Sequence, residues 1–291
     1  MTKIILSDRE EFLDRIMVKL GSIPLDFYET FSRVRESAKS PCPSLAAGVM
    51  LPVYFCQKDP GAFDRGDDVF FRLTKRSRRV SQAGDLACPG GILHETLDAF
   101  LRKIITSGMI PLFRNKAGRL ARARDALTYR TITLFLATAL REAWEEIGIN
   151  PFHVHYLGAL PSYSLSRKRR TIFPLVCYIN KQTAVTLNHE VEYILDIPVA
   201  AFFDAENYGS LNTEVDADAH IPGEPREVLP CLIYKDEKRG ENILWGATFF
   251  IVISFLQTIC NFELPRWQDR RIVRKKLDSH YISGKTHYGT F

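Results

Sequence analysis

The sequence lacks the features that mark several common protein classes. Its six cysteines form no C-x-x-C pair, so their spacing predicts neither a zinc site nor a disulfide framework. The 39 Lys and Arg residues against 34 Asp and Glu leave a net charge of +5, which is compatible with a phosphate-bearing ligand but too small to indicate nucleic acid binding. We therefore expect reduced thiols, a cytoplasmic protein and no nucleic-acid partner.

Long apolar runs and targeting segments are also scarce. The N-terminal residues reach charged side chains too early for a secretory signal. The most apolar stretch, 243–262, is interrupted by Thr, Ser, Gln and Asn residues, whereas a membrane span needs about 20 mostly apolar residues. We expect this stretch to be a helix buried in a soluble core, and we expect no membrane association.

What is present is an ordinary globular composition, with 46% hydrophobic and 25% charged residues over 291 positions. Residues 7–37 have a helical pattern with Ser7 as N-cap, which predicts a helical N-terminal extension over 1–45. Apolar patterning then predicts strands, so that an α/β fold with a mixed sheet between helical layers is expected. The predicted strands are 46–56, 69–74, 153–160, 171–179 and 190–197.

Two stretches are rich in basic residues. Residues 96–130 carry eight Lys and Arg residues, and we expect an insertion with some helix that is broken at Gly108 and Pro111. Its arginines are compatible with a lid over an acidic substrate or with a solvated or partner-packed excursion. The main domain would span 46–262, and residues 263–291 are predicted to form a basic C-terminal tail.

A long helical pattern over 131–147 ends at Gly148, the residue type expected after a helix C-terminus. Glu142, Glu145 and Glu146 stand at i, i+3 and i+4, so they share one face of the last turn. Like charges at this spacing repel, and the helix dipole disfavours anions at this end. A solvated acidic face is one interpretation; a site for Mg²⁺ or Mn²⁺, which prefer oxygen ligands, is the other.

The surrounding residues favour the metal interpretation, because they carry a family resemblance. Residues 141–149, REAWEEIGI, resemble the second half of the Nudix box, R-E-U-x-E-E-x-G-U, at every fixed position. Pro89-Gly90-Gly91, followed by Glu95 or Asp98, resembles its first half. The basic insertion lies between the halves, which the slow growth of loop-closure entropy with length makes tolerable. The resemblance implies a Nudix-type mixed β-sheet sandwiched between α-helices.

Further segments resemble the coenzyme A diphosphatase-related branch of that family. They are 73–77, Gly84, Pro89-Gly90-Gly91, 161–174, 190–198 and 244–248. The similarity therefore spans about 46–262, excluding the insertion. The L-R-x-H-x-G segment of the branch is replaced by Val80-Ser81-Gln82-Ala83-Gly84, which lacks the histidine. Coenzyme A or a derivative is therefore one candidate substrate beside ADP-ribose, NADH and nucleotide sugars.

The resemblance also implies an activity and roles for particular residues. The expected enzyme is a metal-dependent pyrophosphohydrolase that cleaves a nucleoside diphosphate linked to another moiety. Glu142, Glu145 and Glu146 would bind Mg²⁺ or Mn²⁺, and Arg141 would orient a carboxylate of the box. On the substrate side, Gly90 and Gly91 would allow a tight turn beside the helix and Arg76 is a candidate phosphate contact. The general base stays open between Glu145 and Glu190.

Other interpretations remain. A non-catalytic Nudix-fold module that senses a nucleotide is the alternative to an enzyme, although such a sensor would not need all three glutamates. The sequence is also compatible with a homodimer. We expect Trp144 to lie in the core, and we expect His153 and His155 to be ordinary strand residues because no third soft ligand is nearby in the sequence.

Overall fold

A computed structural model describes residues 9–55, 69–165, 169–181, 185–215 and 228–277. The chain begins with two helices, α1 (Arg9–Ser22) and α2 (Phe27–Ser37). The helical pattern that the sequence shows as one unit is divided at Pro24, which cannot continue a helix, and the predicted N-cap Ser7 lies outside the described residues. Both helices are part of the core, since Phe12 and Phe27 are fully buried.

The largest sheet contains eight strands within the described ranges. Five of them run in the order β3-β2-β1-β7-β5, while β4 pairs with β1, β6 with β7 and β8 with β2. Strands β1 and β7 are parallel and the other pairs are antiparallel, which makes the sheet mixed. The strands are β1 (Leu45–Phe55), β2 (Val69–Arg76), β3 (Leu86–Ala87), β4 (Gly90–Ile92), β5 (Val154–Ala159), β6 (Tyr163–Leu165), β7 (Arg170–Ile179) and β8 (Val191–Pro198).

Four more helices follow: α3 (Glu95–Thr106), α4 (Lys116–Arg122), α5 (Ala126–Ile147) and α6 (Gly246–Cys260). Side chains alternate across the sheet, as period-2 patterning requires. Leu51 and Val53 pack in one cluster with residues of α1 and α6, whereas Met50 and Tyr54 pack in a second cluster with α2 and α5. The predicted α/β architecture, a mixed sheet with helices on both faces, is confirmed.

Helix α6 is the apolar segment that the sequence predicts to be buried. Phe249, Val252, Phe255 and Leu256 are fully buried in the first cluster, which confirms the prediction of a core helix. Within the ranges listed above, no helix combines the length and hydropathy that crossing a membrane requires.

A second sheet, which the sequence did not predict, packs beside α6. In the described residues it consists of β9 (Tyr208–Val215), β10 (Val228–Asp236), β11 (Gly240–Trp245) and β12 (Ile272–Leu277), in the order β11-β10-β9-β12. Tyr208, Leu232 and Leu244 join the first core cluster. Part of the predicted tail 263–291 is thus folded, because β12 pairs in parallel with β9; residues 278–291 lie outside the described part.

The basic stretch 96–130 is integrated into the core. It forms α3, a 3-10 turn at Pro111–Phe113, α4 and the first turn of α5, and Leu112 and Ala117 are buried. One of its basic side chains is hydrogen-bonded within the protein: Arg124 donates to the carbonyls of Leu20, Gly21 and Ile23 at 2.9–3.1 Å. A deletion of residues 100–128, made to test whether this stretch is a lid, would therefore also remove core residues.

Candidate active site

The carboxyl-terminal end of α5 positions the candidate site. Asp125 caps the start of the helix by accepting from the backbone N–H groups of Leu127 and Thr128, and Gly148 ends it in the left-handed conformation with φ of 71°. Gly48 of β1 lets the helix approach the sheet, since a Cβ there would lie 2.5 Å from the carbonyl oxygen of Phe135. The last turn, with its three glutamates, is thereby held against the sheet.

Arg141 is the centre of the site's hydrogen bonds. Its Nε and Nη2 donate to the two carboxylate oxygens of Asp98 at 2.8 and 3.3 Å, and Nη2 also donates to the carbonyl of Ile92 at 3.2 Å. Its Nη1 donates to Glu142 at 2.8 Å and to Glu145 at 3.2 Å. Burial works to lower the pKa of Arg141, but the carboxylates of Asp98 and Glu142 raise it above the ordinary value. Arg141 therefore stays charged and fixes the orientation of its partners.

Of the two upstream acids that the sequence left open, Asp98 is the one that contacts Arg141. Its side chain is fully buried, and it accepts hydrogen bonds from Thr138 Oγ1 at 2.9 Å and from the backbone N–H of His94 at 2.8 Å, in addition to Arg141. Glu95, the other candidate, is exposed. Asp98, Leu101 and Ile105 follow one face of α3, the face turned to the core, so helical periodicity favours Asp98.

Gly90 and Gly91 make room for the glutamates. They lie in the short strand β4, and Gly90, with φ of 151°, packs so closely on Gly48 that a Cβ would overlap the carbonyl oxygen there. A Cβ at Gly91 would overlap the carboxylate of Glu142. The backbone N–H of Gly90 donates to Glu146 Oε2 at 3.3 Å. The glycines thus permit close contact between β4 and α5, where the sequence suggested a tight turn.

Glu142 and Glu146 have perturbed acidities. Burial raises the pKa of Glu146 to about 8, even though Arg76 opposes this, and the charges of Glu142 and Glu190 raise it further. Burial likewise raises the pKa of Glu142 more than Arg141 lowers it. Burial thus destabilises the ionised form of both carboxylates, and a nearby cation would stabilise that form.

Arg76 and Glu190 complete the surroundings of Glu146. Arg76 ends β2, donates from Nε to the carbonyl of Ser81 at 2.9 Å, and lies close enough to lower the pKa of Glu146. Glu190 precedes β8; its backbone carbonyl accepts from Ser77, and its own N–H donates to Asn188 Oδ1 at 2.8 Å. Both residues named from the sequence are therefore close enough to affect the acidity of glutamates of α5.

One expectation about α5 is not met by the geometry. Trp144 was expected in the core and is 54% exposed, because the buried face of α5 passes through Leu140, Ala143 and Ile147 instead. Among the described residues, no group of three or more His, Cys, Asp or Glu side chains is arranged to hold a metal ion. The three glutamates therefore share a helix end without converging on one point in this conformation.

Comparison with known proteins gives relatives both in sequence and in structure. No family model matches. Over 145 residues the chain is 26% identical to Nudix hydrolase 15, mitochondrial, from Arabidopsis thaliana; the match covers 44% of this chain and 47% of the relative. The chain thus spans about half the length of that curated relative.

Two solved structures illustrate the structural likeness. A NUDIX hydrolase from Alicyclobacillus acidocaldarius is 14% identical with a TM-score of 0.36, covering 55% of this chain and 81% of that one. An Ap4A hydrolase binary complex from C. elegans is 13% identical with a TM-score of 0.33, covering 54% of this chain and 81% of that one. Both TM-scores are low.

Proposed function

We propose that this protein is a metal-dependent hydrolase of the Nudix type, which cleaves a nucleoside diphosphate linked to another moiety. The observation that carries the proposal is the contact of Arg141 with both Asp98 and Glu142. This contact connects the two segments that resemble the halves of the Nudix box, which the basic stretch 96–130 separates in the sequence. Gly90 of the first segment also donates to Glu146 of the second. A chance E-x-x-E-E helix would have no reason to collect an upstream acid, an arginine and a glycine pair.

The donors suit a hard divalent cation. Glu142, Glu145 and Glu146 offer carboxylate oxygens, which Mg²⁺ and Mn²⁺ prefer. Burial is the main cause of the raised pKa values of Glu142 and Glu146, and a cation beside them would offset the cost of their buried charge. Arg141 competes with a cation for Glu142 and Glu145, so binding would include an exchange of partners at these two side chains. We propose these three glutamates as the residues that would hold the metal.

The roles of the protein groups follow from their positions. A bound divalent cation would supply charge neutralisation at the diphosphate and acidify the attacking water. Asp98 and Arg141 fix the carboxylate of Glu142, and Gly90 holds that of Glu146 through its N–H. Glu145 and Glu190 are the two candidates for removing a proton from water; Glu145 is half exposed and bonded to Arg141, whereas Glu190 lies near both Glu142 and Glu146.

The substrate class is the finer part of the proposal. Arg76, beside Glu146, is positioned for contact with a phosphate, which a guanidinium binds through two parallel hydrogen bonds. The resemblance to the coenzyme A diphosphatase-related branch makes coenzyme A and its derivatives one candidate. ADP-ribose, NADH, dinucleoside polyphosphates and nucleotide sugars carry the same diphosphate and differ only in the attached groups.

The alternative is a nucleotide-sensing module without turnover. It is favoured by one observation: Arg141 already bridges Glu142 and Glu145, which partly balances their charge without a metal. An assay of the full chain against these substrates, with Mg²⁺, Mn²⁺ or EDTA, separates the two. We expect metal-dependent release of two phosphate-bearing products from at least one substrate. Tight nucleotide binding without hydrolysis under every metal condition would instead establish the sensor.

A further inference from the structure

The feature that points beyond the glutamates is a buried donor on Arg170. This residue begins β7, opposite Leu45 of β1 and Leu165 of β6, and it is half-buried. Its Nε is inaccessible to solvent and has no hydrogen-bond partner within the described part of the chain. A buried guanidinium N–H normally has an acceptor, so an unmatched one suggests that a ligand supplies it.

Arg170 lies near a second guanidinium. Burial lowers the pKa of Arg170, and the positive charge of Arg76 lowers it further. Arg76 is partly committed, since its Nε donates to the carbonyl of Ser81. The unmatched Nε of Arg170 and the nearby charge of Arg76 therefore create a local positive potential, and Arg76 also acts on Glu146 of α5.

We infer that Arg170 and Arg76 together form a binding site for one phosphate group of the substrate's diphosphate. The inference rests on the proposed function. It adds Arg170, which lies outside the segments that resemble the Nudix box, to the residues that would bind the substrate. Arg76 interacts electrostatically with Glu146 on one side and with Arg170 on the other. We expect one phosphate of the diphosphate to face the metal that the glutamates of α5 would hold, and the other to meet the arginine pair.

The chemistry of guanidinium groups favours a phosphate over other ligands. Two cations call for a ligand that carries more than one negative charge and several acceptor oxygens. A phosphate meets both needs and accepts paired N–H groups in a fork geometry, including the Nε of Arg170. A simple carboxylate would leave one of the two guanidinium groups uncompensated.

Calorimetric titration of the full chain with inorganic pyrophosphate in EDTA tests the site without metal or turnover. We expect Arg170→Gln to weaken pyrophosphate binding by about tenfold or more, because it removes a charge-assisted hydrogen bond. Arg169→Gln is the matched control: it removes the same charge from the exposed neighbouring position and should leave the affinity nearly unchanged. Inorganic phosphate, titrated in parallel, should lose affinity in Arg170→Gln in the same way, because the arginine pair binds a single phosphate group.

Three results would overturn the inference: no pyrophosphate binding by the wild type, equal binding by folded Arg170→Gln, or equal weakening by Arg169→Gln. If Arg170→Gln does not fold by circular dichroism, Arg170→Lys decides, since it keeps the charge but loses the fork; unchanged affinity would then refute the site. With an active substrate, Arg170→Gln should raise KM more than it lowers kcat. Failure of all substrates to be hydrolysed would sink the proposed function and would not alter the pyrophosphate titration.

Discussion

Two buried arginines on the α5 side of the main sheet differ in how their charge is balanced. Arg72 of β2 has a side chain 8% exposed, makes paired hydrogen bonds of 2.7 Å to Asp196, and lies over the ring of Tyr54 at 4.1 Å. Arg141, 11% exposed, divides its donors among Asp98, Glu142 and Glu145. Arg72 thus balances a single carboxylate, whereas Arg141 is shared among three carboxylates.

This difference separates a structural ion pair from a site that needs further positive charge. A balanced pair such as Arg72 with Asp196 satisfies both partners and leaves nothing for a ligand. At Arg141 the surplus anions repel one another, and burial adds to the cost of their charge. We therefore expect variants at the Arg141 cluster to change catalysis, and variants at the Arg72 pair to change stability alone.

The largest expected effect is on turnover when a glutamate of α5 is neutralised. Glu146→Gln and Glu145→Gln should each lower kcat by about 10²- to 10³-fold, because each removes a carboxylate proposed to hold the metal that would stabilise the transition-state charge. Folding should be retained: the pKa of Glu146 is about 8, so a neutral side chain is already tolerated there at pH 7. Asp196→Asn is the matched control and should keep the wild-type kcat. Near-wild-type turnover by both glutamine variants would contradict the metal assignment.

The next largest effect is a loss of stability at Asp98. Asp98→Asn leaves the guanidinium of Arg141 facing a neutral, fully buried partner, and we expect the free energy of unfolding to fall by about 3 kcal/mol. Urea denaturation measures this. Glu95→Gln, on the exposed side of the same helical turn, should be nearly neutral. An Asp98→Asn protein as stable as the wild type would show that the upstream acid has no structural role.

How far the sequence predicts this cluster depends on whether its contacts are local. The i, i+3, i+4 spacing of Glu142, Glu145 and Glu146 is a property of one helix, so it can be recognised without a structure. The choice of Asp98 over Glu95 depends on which face of α3 meets α5, and only the buried periodicity of Leu101 and Ile105 hints at it. The unmatched Nε of Arg170 is set by tertiary packing and has no trace in the sequence.

The fold shows the same division. The bounds of β1 and β2 agree with the sequence prediction within one or two residues, because burial on both faces selects apolar side chains along these strands. Strand β12 was assigned to a basic tail, since its side chains alternate between exposed and half-buried and its partner β9 is distant in the chain. The hydrophobicity of Trp144 predicts burial, but its side chain lies outside the helix face of Ala143 and Ile147 and is exposed.

A smaller effect is expected at the balanced pair. Arg72→Met should lower the free energy of unfolding by about 2 kcal/mol, through loss of the charge-assisted bonds to Asp196. The effect is smaller than at Asp98 because the side chain of Asp196 is 36% exposed and can be solvated once its partner is gone. Denaturation and steady-state kinetics on the same preparation measure both quantities. A fall in kcat that exceeds the fraction of unfolded protein would erase the contrast between the two arginines.

The smallest effect tests a carboxylate that is stabilised without an arginine. Burial tends to raise the pKa of Asp26, but hydrogen bonds from the N–H and Oγ of Ser162 and from Thr30 outweigh it, so the pKa lies below the ordinary 3.8. A depressed pKa in the folded state stabilises the fold above the unfolded value, and this contribution is lost as pH falls through the folded value. Asp26→Asn should therefore cost about 1 kcal/mol at pH 7, a modest figure because the group is partly exposed, and the difference from wild type should shrink below pH 4. A pH-independent difference in urea denaturation would assign the effect to packing, because only the ionised carboxylate gains from these bonds as charge-assisted contacts.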